Sequence, residues 1–429
     1  MQAVRYNPVM GLSWALVLLA GAASAGPVFG DASEERLLDL DGNWPRAFPR
    51  ASGGFVMFSA GGGDYKLTHA DDSLTADHFD DRLLTGRTDL KDHDIRPCPD
   101  GSWLHVATAD KYADHDSAYV WRYDSNFATL AKSTYAEGST DGSNYVDVPV
   151  VCGQEFQGFL YAFPPEALPA RFAELGRDAR ATEVVDMVRA PFATGSSLVN
   201  DSDQTMWVLG GYTEAGAPAR KFVTVQYDTS WTVGRSALLT VAPEGYVAYW
   251  PQATIRVGNV YIVAHMMRDE ASAWVQQEGN LTLSAFDVAD WKMIDQVQLS
   301  QNVAPHGGMQ PFVVFDGKDS LVALYSKELR NYAFTVKLQP EVLESVEDTG
   351  VVDTGVDDTG GEDTDSGVVD SGSEGDSDGA GEIDSGADPD PECGCASSGA
   401  GAGAIPVLLA WGLGRRAGRE RYFRKPRAS

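Results

Sequence analysis

Short apolar runs recur along this chain at intervals of about fifty residues, and this periodicity constrains the fold more than any other feature. In each interval an apolar strand is followed by a turn of Gly, Asp or Asn and by a second, more apolar strand. The intervals begin at Pro49, Pro97, Pro149, Ser197, Pro251 and Pro311. Their spacings of 48, 52, 48, 54 and 60 residues are typical of β-propeller blades.

A third strand with alternating aromatic or apolar residues follows in most intervals. The clearest examples are AYVWRYDS, KFVTVQYDTS, LTLSAFDV and NYAFTVKL. The sixth interval lacks an outer strand after Leu338, and residues 35–40, ahead of the first interval, can supply it. Closing the ring in this way would remove two exposed sheet edges. We therefore predict an all-β fold, a six-bladed β-propeller, over residues 30–340.

Other architectures remain open at this point. Weak outer strands in the first and third intervals leave five blades, seven blades or a pair of sandwiches as alternatives. Long amphipathic helical patterns are scarce, and the one helix-like stretch, from Pro164 to Arg180, is interpreted as an insertion.

The first 25 residues have the pattern of a secretory signal peptide. A single base, Arg5, precedes a short apolar stretch, and Ala23-Ser24-Ala25 matches the A-x-A cleavage pattern. We predict cleavage after Ala25 and export of the chain. An uncleaved anchor is the alternative, although the apolar run is short for a membrane span.

Residues 341–392 have the composition of a disordered acidic linker. They contain 19 acidic residues and no Lys or Arg, in repeated Asp-Thr-Gly and Asp-Ser-Gly units without an aromatic residue. Such a segment cannot bury enough apolar surface to offset its loss of conformational entropy, and its charges repel one another. We expect an extended stalk.

The net charge of −29 is unevenly distributed along the chain. The stalk carries 19 of the negative charges, and the segment from Arg415 onward has a net charge of +6, which leaves −16 for the rest. Binding to nucleic acid requires clustered Lys and Arg, so the acidic body argues against a nucleic-acid partner.

Residues 393–429 combine Cys393-Gly-Cys395, a short apolar run that we predict to be a hydrophobic helix, and an arginine-rich tail. Together with the acidic linker, this arrangement resembles the MYXO-CTERM sorting tag of myxobacteria and their relatives. The resemblance implies cleavage near Cys393 or Cys395 and anchoring of the protein at the cell surface or outer membrane. An ordinary tail anchor, whose cysteines have no special role, is the alternative.

Ligand sites of propellers lie at the mouth of the central channel, next to the loops that lead into the innermost strands. The candidate binding residues there are His93, Asp94, Arg96, Tyr145, Asp147, Tyr249, Trp250 and His306. Carboxylates from different blades could serve as the acid and base of a glycosidase, and aromatic side chains could stack on sugar rings. Binding without catalysis, or no small-molecule site, are the alternatives.

The remaining histidines and cysteines suggest structural roles. His105 and His265 lie on predicted strands, and no metal-binding spacing occurs, so we predict neither a metal nor a cofactor. Cys98 and Cys152 fall at the same level of adjacent repeats and could form a disulfide in an exported protein. Neighbouring blades could also hold them too far apart to bond.

Taken together, these patterns favour a surface-anchored propeller that binds or scaffolds an envelope protein or polysaccharide. An extracellular carbohydrate-active enzyme that uses carboxylates at the channel mouth is the alternative. A purely structural part of the envelope is a third possibility.

Overall fold

The computed structural model describes residues 27–60, 64–88, 90–109, 117–136, 148–161, 170–187, 192–202, 204–212, 220–271, 278–303 and 307–349. Within these ranges the chain forms strands β1 to β25 and one helix, α1. The predicted signal peptide with Ala25, the linker beyond residue 349 and the C-terminal tag with Cys393 and Cys395 lie outside the described residues. No helix within the described ranges is long and apolar enough to span a membrane.

Two short strands, β1 (Phe29–Ala32) and β2 (Arg36–Asp41), precede five four-stranded antiparallel sheets. Blade 1 contains β3 (Asn43–Pro49), β4 (Phe55–Ala60), β5 (Tyr65–Ala70) and β6 (Ala76–Leu83). Blade 2 contains β7 (Leu90–Pro97), β8 (Trp103–Ala109), β9 (Ser117–Tyr123) and β10 (Thr129–Ala136). Blade 3 contains β11 (Val150–Cys152), β12 (Gln157–Tyr161), β13 (Arg171–Leu175) and β14 (Ala181–Asp186).

Blade 4 contains β15 (Phe192–Ser202), β16 (Thr205–Tyr212), β17 (Lys221–Asp228) and β18 (Val233–Thr240). Blade 5 contains β19 (Tyr246–Val257), β20 (Val260–Asp269), β21 (Asn280–Asp287) and β22 (Met293–Gln298). Each sheet runs in chain order from an inner to an outer strand. The predicted third strands are β9, β17, β21 and, in blade 6, β25.

Blade 6 closes the ring. Its own strands are β23 (Met309–Phe315), β24 (Ser320–Lys327) and β25 (Arg330–Leu338), and both β1 and β2 pair antiparallel with β25. The Asp295 carboxylate of blade 5 accepts hydrogen bonds from the N–H groups of Val28 and Phe29, each at 3.0 Å. The predicted six-bladed propeller and its closure by the N-terminal segment are therefore confirmed.

We call the edge where inner strands begin the upper edge and the edge where they end the lower edge. Pro49 and Pro97 lie at the lower ends of β3 and β7, where they pair with Phe55 and Trp103. Pro251 and Pro311, in contrast, lie in the upper parts of their inner strands. The predicted period is correct, but the anchoring prolines do not share one structural position; Pro45 is the counterpart of Pro251 and Pro311.

The helix-like interpretation of Pro164–Arg180 is wrong where the structure describes this segment. Residues 171–175 form β13, which pairs with β12 on one side and with β14 on the other. Phe172 and Ala173 are fully buried in the sheet. Burial against two neighbouring strands outweighs the weak intrinsic helix preference of the sequence RFAEL.

A helix follows β25 directly and extends the folded body. α1 (Pro340–Thr349) has Pro at its first position and Glu341 in its first turn, both favourable at a helix start. Val342 is buried against the core, and the Ser345 hydroxyl lies 3.1 Å from Asn259 Oδ1. Residues 341–349 are thus part of the body and not of the predicted linker, whose remaining residues lie outside the described ranges.

Blades 2 and 3 are joined covalently. A disulfide links Cys98, just after β7, to Cys152 at the end of β11, with the Cα atoms 4.9 Å apart. This separation lies within the range that a disulfide requires, so neighbouring blades do hold the two residues close enough.

The turn between the third and fourth strands repeats in blades 1 to 5 along the lower edge. Each has one non-glycine residue with φ near +60°: Leu74, Phe127, Ala179, Trp231 and Trp291. In the best-formed turns, Asp124 and Asp228 accept hydrogen bonds from backbone N–H groups two and four residues ahead. The aromatic members pack on the preceding blade, as Trp231 does on Phe172 with ring centroids 4.9 Å apart.

Candidate functional site

The six inner strands surround a central channel whose upper mouth is irregular. The pairing of β3, β7, β15, β19 and β23 with their neighbours shifts register near the upper ends, as at a β-bulge. Four residues in these bulges have positive φ angles: Trp44 at 57°, Asp92 at 23°, Trp250 at 56° and Gln310 at 57°. A non-glycine residue in this region costs conformational energy, and such residues cluster at functional sites.

The upper cavity lies directly below this mouth and has about 220 Å³ of space, counting the part open to solvent. Its walls come from blades 1 to 5. The lining residues are Trp44, Arg46, His93, Asp94, Val148, Pro149, Ser196 and Gln252. The cavity therefore combines one indole with several hydrogen-bonding side chains.

A buried ion pair braces three blades at this level. Arg46 and Asp94 are each 2% exposed, and Arg46 Nε lies 2.7 Å from Asp94 Oδ1. The other oxygen, Asp94 Oδ2, accepts a hydrogen bond from the N–H of Val150 at 2.8 Å. Asp94 of blade 2 thus links blades 1 and 3, because each of its carboxylate oxygens accepts a hydrogen bond from a neighbouring blade.

His93 belongs to a buried pair of neutral histidines. Its Nδ1 lies 3.2 Å from Nε2 of His105, and the rings are stacked with centroids 5.5 Å apart. Burial lowers the pKa of His105 to about 3. Burial, followed by the charges of His105 and Arg46, lowers the pKa of His93 well below its usual value. Within the described part of the chain, His93 Nε2 has no hydrogen-bond partner.

The other predicted site residues take different positions. Arg96 follows Asp94 by two residues on β7 and lies deeper, with its Nη2 3.4 Å from Asp94 Oδ2. Tyr249 and Trp250 lie at the upper end of β19 and are half-buried. The guanidinium of Arg268 covers the Tyr249 ring at 5.1 Å. Tyr145, Asp147 and His306 fall outside the described residues.

The structure adds residues that sequence reasoning missed. Trp44, Arg46 and Gln252 line the same cavity as His93 and Asp94. At the mouth, the N–H of Trp44 donates a hydrogen bond to Gln310 Oε1 at 2.8 Å and joins blades 1 and 6. A signal was present in the sequence, because Trp-Pro occurs at residues 44–45 and again at 250–251, followed each time by a long polar residue.

The described lining of the channel cavities is poor in acidic groups. Among the described residues that line the channel cavities, Asp94 is the single carboxylate, and it is held by Arg46. A glycosidase needs two carboxyl groups flanking one bond. The described residues also contain no cluster of three His, Cys, Asp or Glu side chains suited to a metal ion.

Comparisons with known proteins find structural similarity at low sequence identity. No family model matches the sequence, and no curated protein matches it. A protein of unknown function from Dyadobacter fermentans is 11% identical, with a TM-score of 0.51 over 72% of this chain and 99% of that one. The lectin SapL1, in complex with alpha methyl fucoside, gives 11% identity and a TM-score of 0.44 over 71% and 98%. A Hadza microbial sialidase gives 10% and 0.48 over 70% and 66%. At these identities the likeness concerns the fold alone.

Proposed function

We propose that this propeller is a binding module that takes a carbohydrate at the upper mouth of its channel. The observation that carries the proposal is the pair of half-buried indoles, Trp44 and Trp250, held with positive φ on bulges at the mouth. Each strained residue costs about 1–3 kcal/mol, a cost that persists when the surroundings fix the conformation for another purpose. Large aromatic rings left partly open to solvent suit stacking on a ligand.

The polar groups below the indoles can form hydrogen bonds with the hydroxyl groups of a sugar. A pyranose presents C–H groups on its faces and hydroxyl groups at its edges. The cavity offers Ser196, Gln252 and the imidazole of His93 for such hydroxyls. The cavity is open to solvent, and its enclosed part has room for about one water-sized group, so it suits a single hydroxyl of a sugar while the rest of the sugar stays at the mouth.

Binding is favoured over hydrolysis by the state of Asp94. Both of its oxygens are used by Arg46 and Val150 at 2.7 and 2.8 Å, so it is placed as a structural anion. We therefore propose recognition without bond cleavage, with an envelope or external polysaccharide as the partner.

We further propose that the chain is exported and held at the cell surface through its C-terminus. Support comes from the A-x-A pattern ending at Ala25 and the Cys393–Cys395 tag. The disulfide between Cys98 and Cys152 adds support, because disulfides persist in oxidising compartments. The test is the mass of the mature protein from membranes. A chain that ends near Cys393 supports the sorting tag, and one intact to Ser429 contradicts it.

The binding proposal is tested with the purified protein on an array of polysaccharides, followed by calorimetry with the best ligand. Trp44→Ala and Trp250→Ala should each lower affinity at least about tenfold, as expected for aromatic anchors. The matched control is Trp231→Ala, which removes an indole from the lower edge and should leave affinity unchanged. Equal losses in all three variants, or no polysaccharide bound at all, would contradict a site at the mouth.

A further inference from the structure

The upper edge of blade 6 carries the two most exposed large apolar side chains in the described part of the chain. Val303 is 79% exposed and lies in the connection from β22 to β23. Leu329 is 63% exposed and lies at the tip of the hairpin between β24 and β25. A single exposed apolar residue is ordinary on a protein surface, whereas neighbouring ones mark a contact surface.

Lys327 connects these two apolar residues. Its ammonium donates a hydrogen bond to Asn302 Oδ1 at 3.0 Å, and Asn302 directly precedes Val303. In the other direction, Lys327 is followed two residues later by Leu329. Two apolar side chains are thus arranged about one ammonium, a group that has three N–H donors.

Leu329 is joined in turn to the mouth of the channel. The N–H of Gly42 donates a hydrogen bond to the carbonyl of Leu329 at 2.8 Å, and Trp44 follows Gly42 by two residues. A Cβ atom on Gly42 would lie 2.5 Å from the carbonyl oxygen of Ala60, so this position requires glycine. Val303, Leu329 and Trp44 therefore follow one another along the upper edge, and we call them the apolar row.

The backbone conformation of the hairpin tip is unfavourable for its sequence. Lys327 and Arg330 pair across the tip, so the loop consists of Glu328 and Leu329, with φ angles of 52° and 63°. Positive φ at both positions is typical of a type I′ turn, for which Asn-Gly is a preferred sequence. A leucine pays a steric penalty in this region, and strained residues cluster at functional sites. The tip therefore keeps a large apolar side chain where stability alone would favour glycine.

We propose that the apolar row binds an acyl group of the carbohydrate, such as an O-acetyl group, beside the sugar unit at Trp44. The proposal rests on the carbohydrate site proposed above and specifies the class of polysaccharide. Aliphatic side chains offer no hydrogen bond to a hydroxyl group, and burying a hydroxyl without a partner is costly. An acetyl group instead packs its methyl against Leu329 and Val303, and its carbonyl oxygen accepts a hydrogen bond from the Lys327 ammonium.

The first test measures strain at the tip and needs no ligand. Glu328→Asn combined with Leu329→Gly gives the hairpin its preferred sequence and should raise the melting temperature by about 2 °C. Leu130→Gly is the matched control. It removes a leucine that is 60% exposed on β10, where φ is not positive, and should lower the melting temperature. A melting temperature that does not rise in the double variant would overturn the proposal.

The second test compares O-acetylated glucomannan with the same polymer after mild alkaline deacetylation, by calorimetry on the purified protein. The acetylated form should bind about fourfold more tightly, the ratio expected for burying one methyl group. Leu329→Gly should remove this difference and retain binding of the deacetylated form, whereas Leu130→Gly should preserve the difference. Trp44→Ala should weaken the binding of both forms, because it removes the indole on which the sugar unit stacks.

Three outcomes would contradict the proposal. Equal affinities for the two forms, or binding of neither, would show that the apolar row does not select an acetyl group. The carbohydrate site itself is judged separately, by the polysaccharide array. A preference for the acetylated form that persists in Leu329→Gly would place the acetyl group elsewhere. A lower mass of Leu329→Gly in solution than of the unaltered protein would show that the row is a contact between copies of the chain.

Discussion

Along the lower edge of the propeller, the turn between the third and fourth strands is built in much the same way in five blades, whereas along the upper edge only the inner strands of blades 1, 5 and 6 share a bulge that is followed by a proline. Positive φ angles occur at both edges. At the lower edge they place Phe127, Trp231 and Trp291 against the preceding blade. At the upper edge they leave Trp44 and Trp250 half-buried around an open channel. The same backbone strain thus serves ring assembly at one edge and, we infer, recognition at the other.

Acid should weaken the upper half of blade 2 most. Burial lowers the pKa of His93, that of His105 to about 3 and that of His265 to about 4. The unfolded chain takes up protons near pH 6.5 while the folded chain does not, so stability is full above pH 6.5 and falls as pH drops towards 4. Each buried histidine should cost about 1.4 kcal/mol per pH unit in this window.

Urea unfolding at pH 7 and pH 5 measures this loss. His105→Gln should reduce the slope of stability against pH, because it removes a histidine whose pKa burial lowers to about 3. Hydrogen exchange should show β7 and β8 opening before the lower turns. A stability that stays flat from pH 7 to pH 5 would show that the histidines are not held neutral.

The next largest effect compares one indole from each edge. Trp291 is 4% exposed and stacks on Tyr261 with ring centroids 4.3 Å apart. Trp291→Ala should lower the free energy of unfolding by about 3–5 kcal/mol, the usual cost of removing a buried Trp. Trp44→Ala should cost less than half as much, because its ring is half-buried and its backbone is strained. Similar losses from the two variants would contradict the division between the edges.

The smallest predicted effect isolates backbone strain at the mouth. Glycine adopts positive φ without penalty, so Trp44→Gly should relieve the backbone strain at this position. Its free energy of unfolding should therefore exceed that of Trp44→Ala by about 0.5–1 kcal/mol. Thermal unfolding of the two variants measures the difference. Both variants should lose ligand binding equally. If Trp44→Gly is no more stable than Trp44→Ala, the backbone at the mouth is not strained.

The sequence was most informative where structure depends on repetition. The spacing of the apolar runs predicted the blade count, and the missing strand after Leu338 predicted closure by residues 35–40. It was less informative about where in each strand a repeat begins. Pro49 and Pro311 look alike in sequence, but Pro49 ends β3, whereas Pro311 lies near the start of β23. It misassigned residues 171–175, where burial between two strands overrides local preference.

For the candidate site, the sequence identified residues that belong to one blade better than the residues that contact them from neighbouring blades. His93, Asp94 and Arg96 were predicted as residues of a loop that leads into an inner strand, and the structure places all three on that strand, β7. Arg46 and Phe312 contact them from blades 1 and 6, and that proximity exists only once the ring has closed. Residues 48 positions apart, such as Arg46 and Asp94, become neighbours because the blade repeat is about that long.

The closure of blade 6 also determines how the body would carry a mechanical load. β25 is hydrogen-bonded to β24 on one side and to β1 and β2 on the other, and it continues directly into α1. If the chain is tethered through its C-terminus, as we propose, tension enters along the axis of β25. Pulling that strand out would shear its bonds to all three neighbours together, rather than unzip them one by one. By pairing with β25, strands β1 and β2 would then help the tethered propeller to resist unfolding under flow.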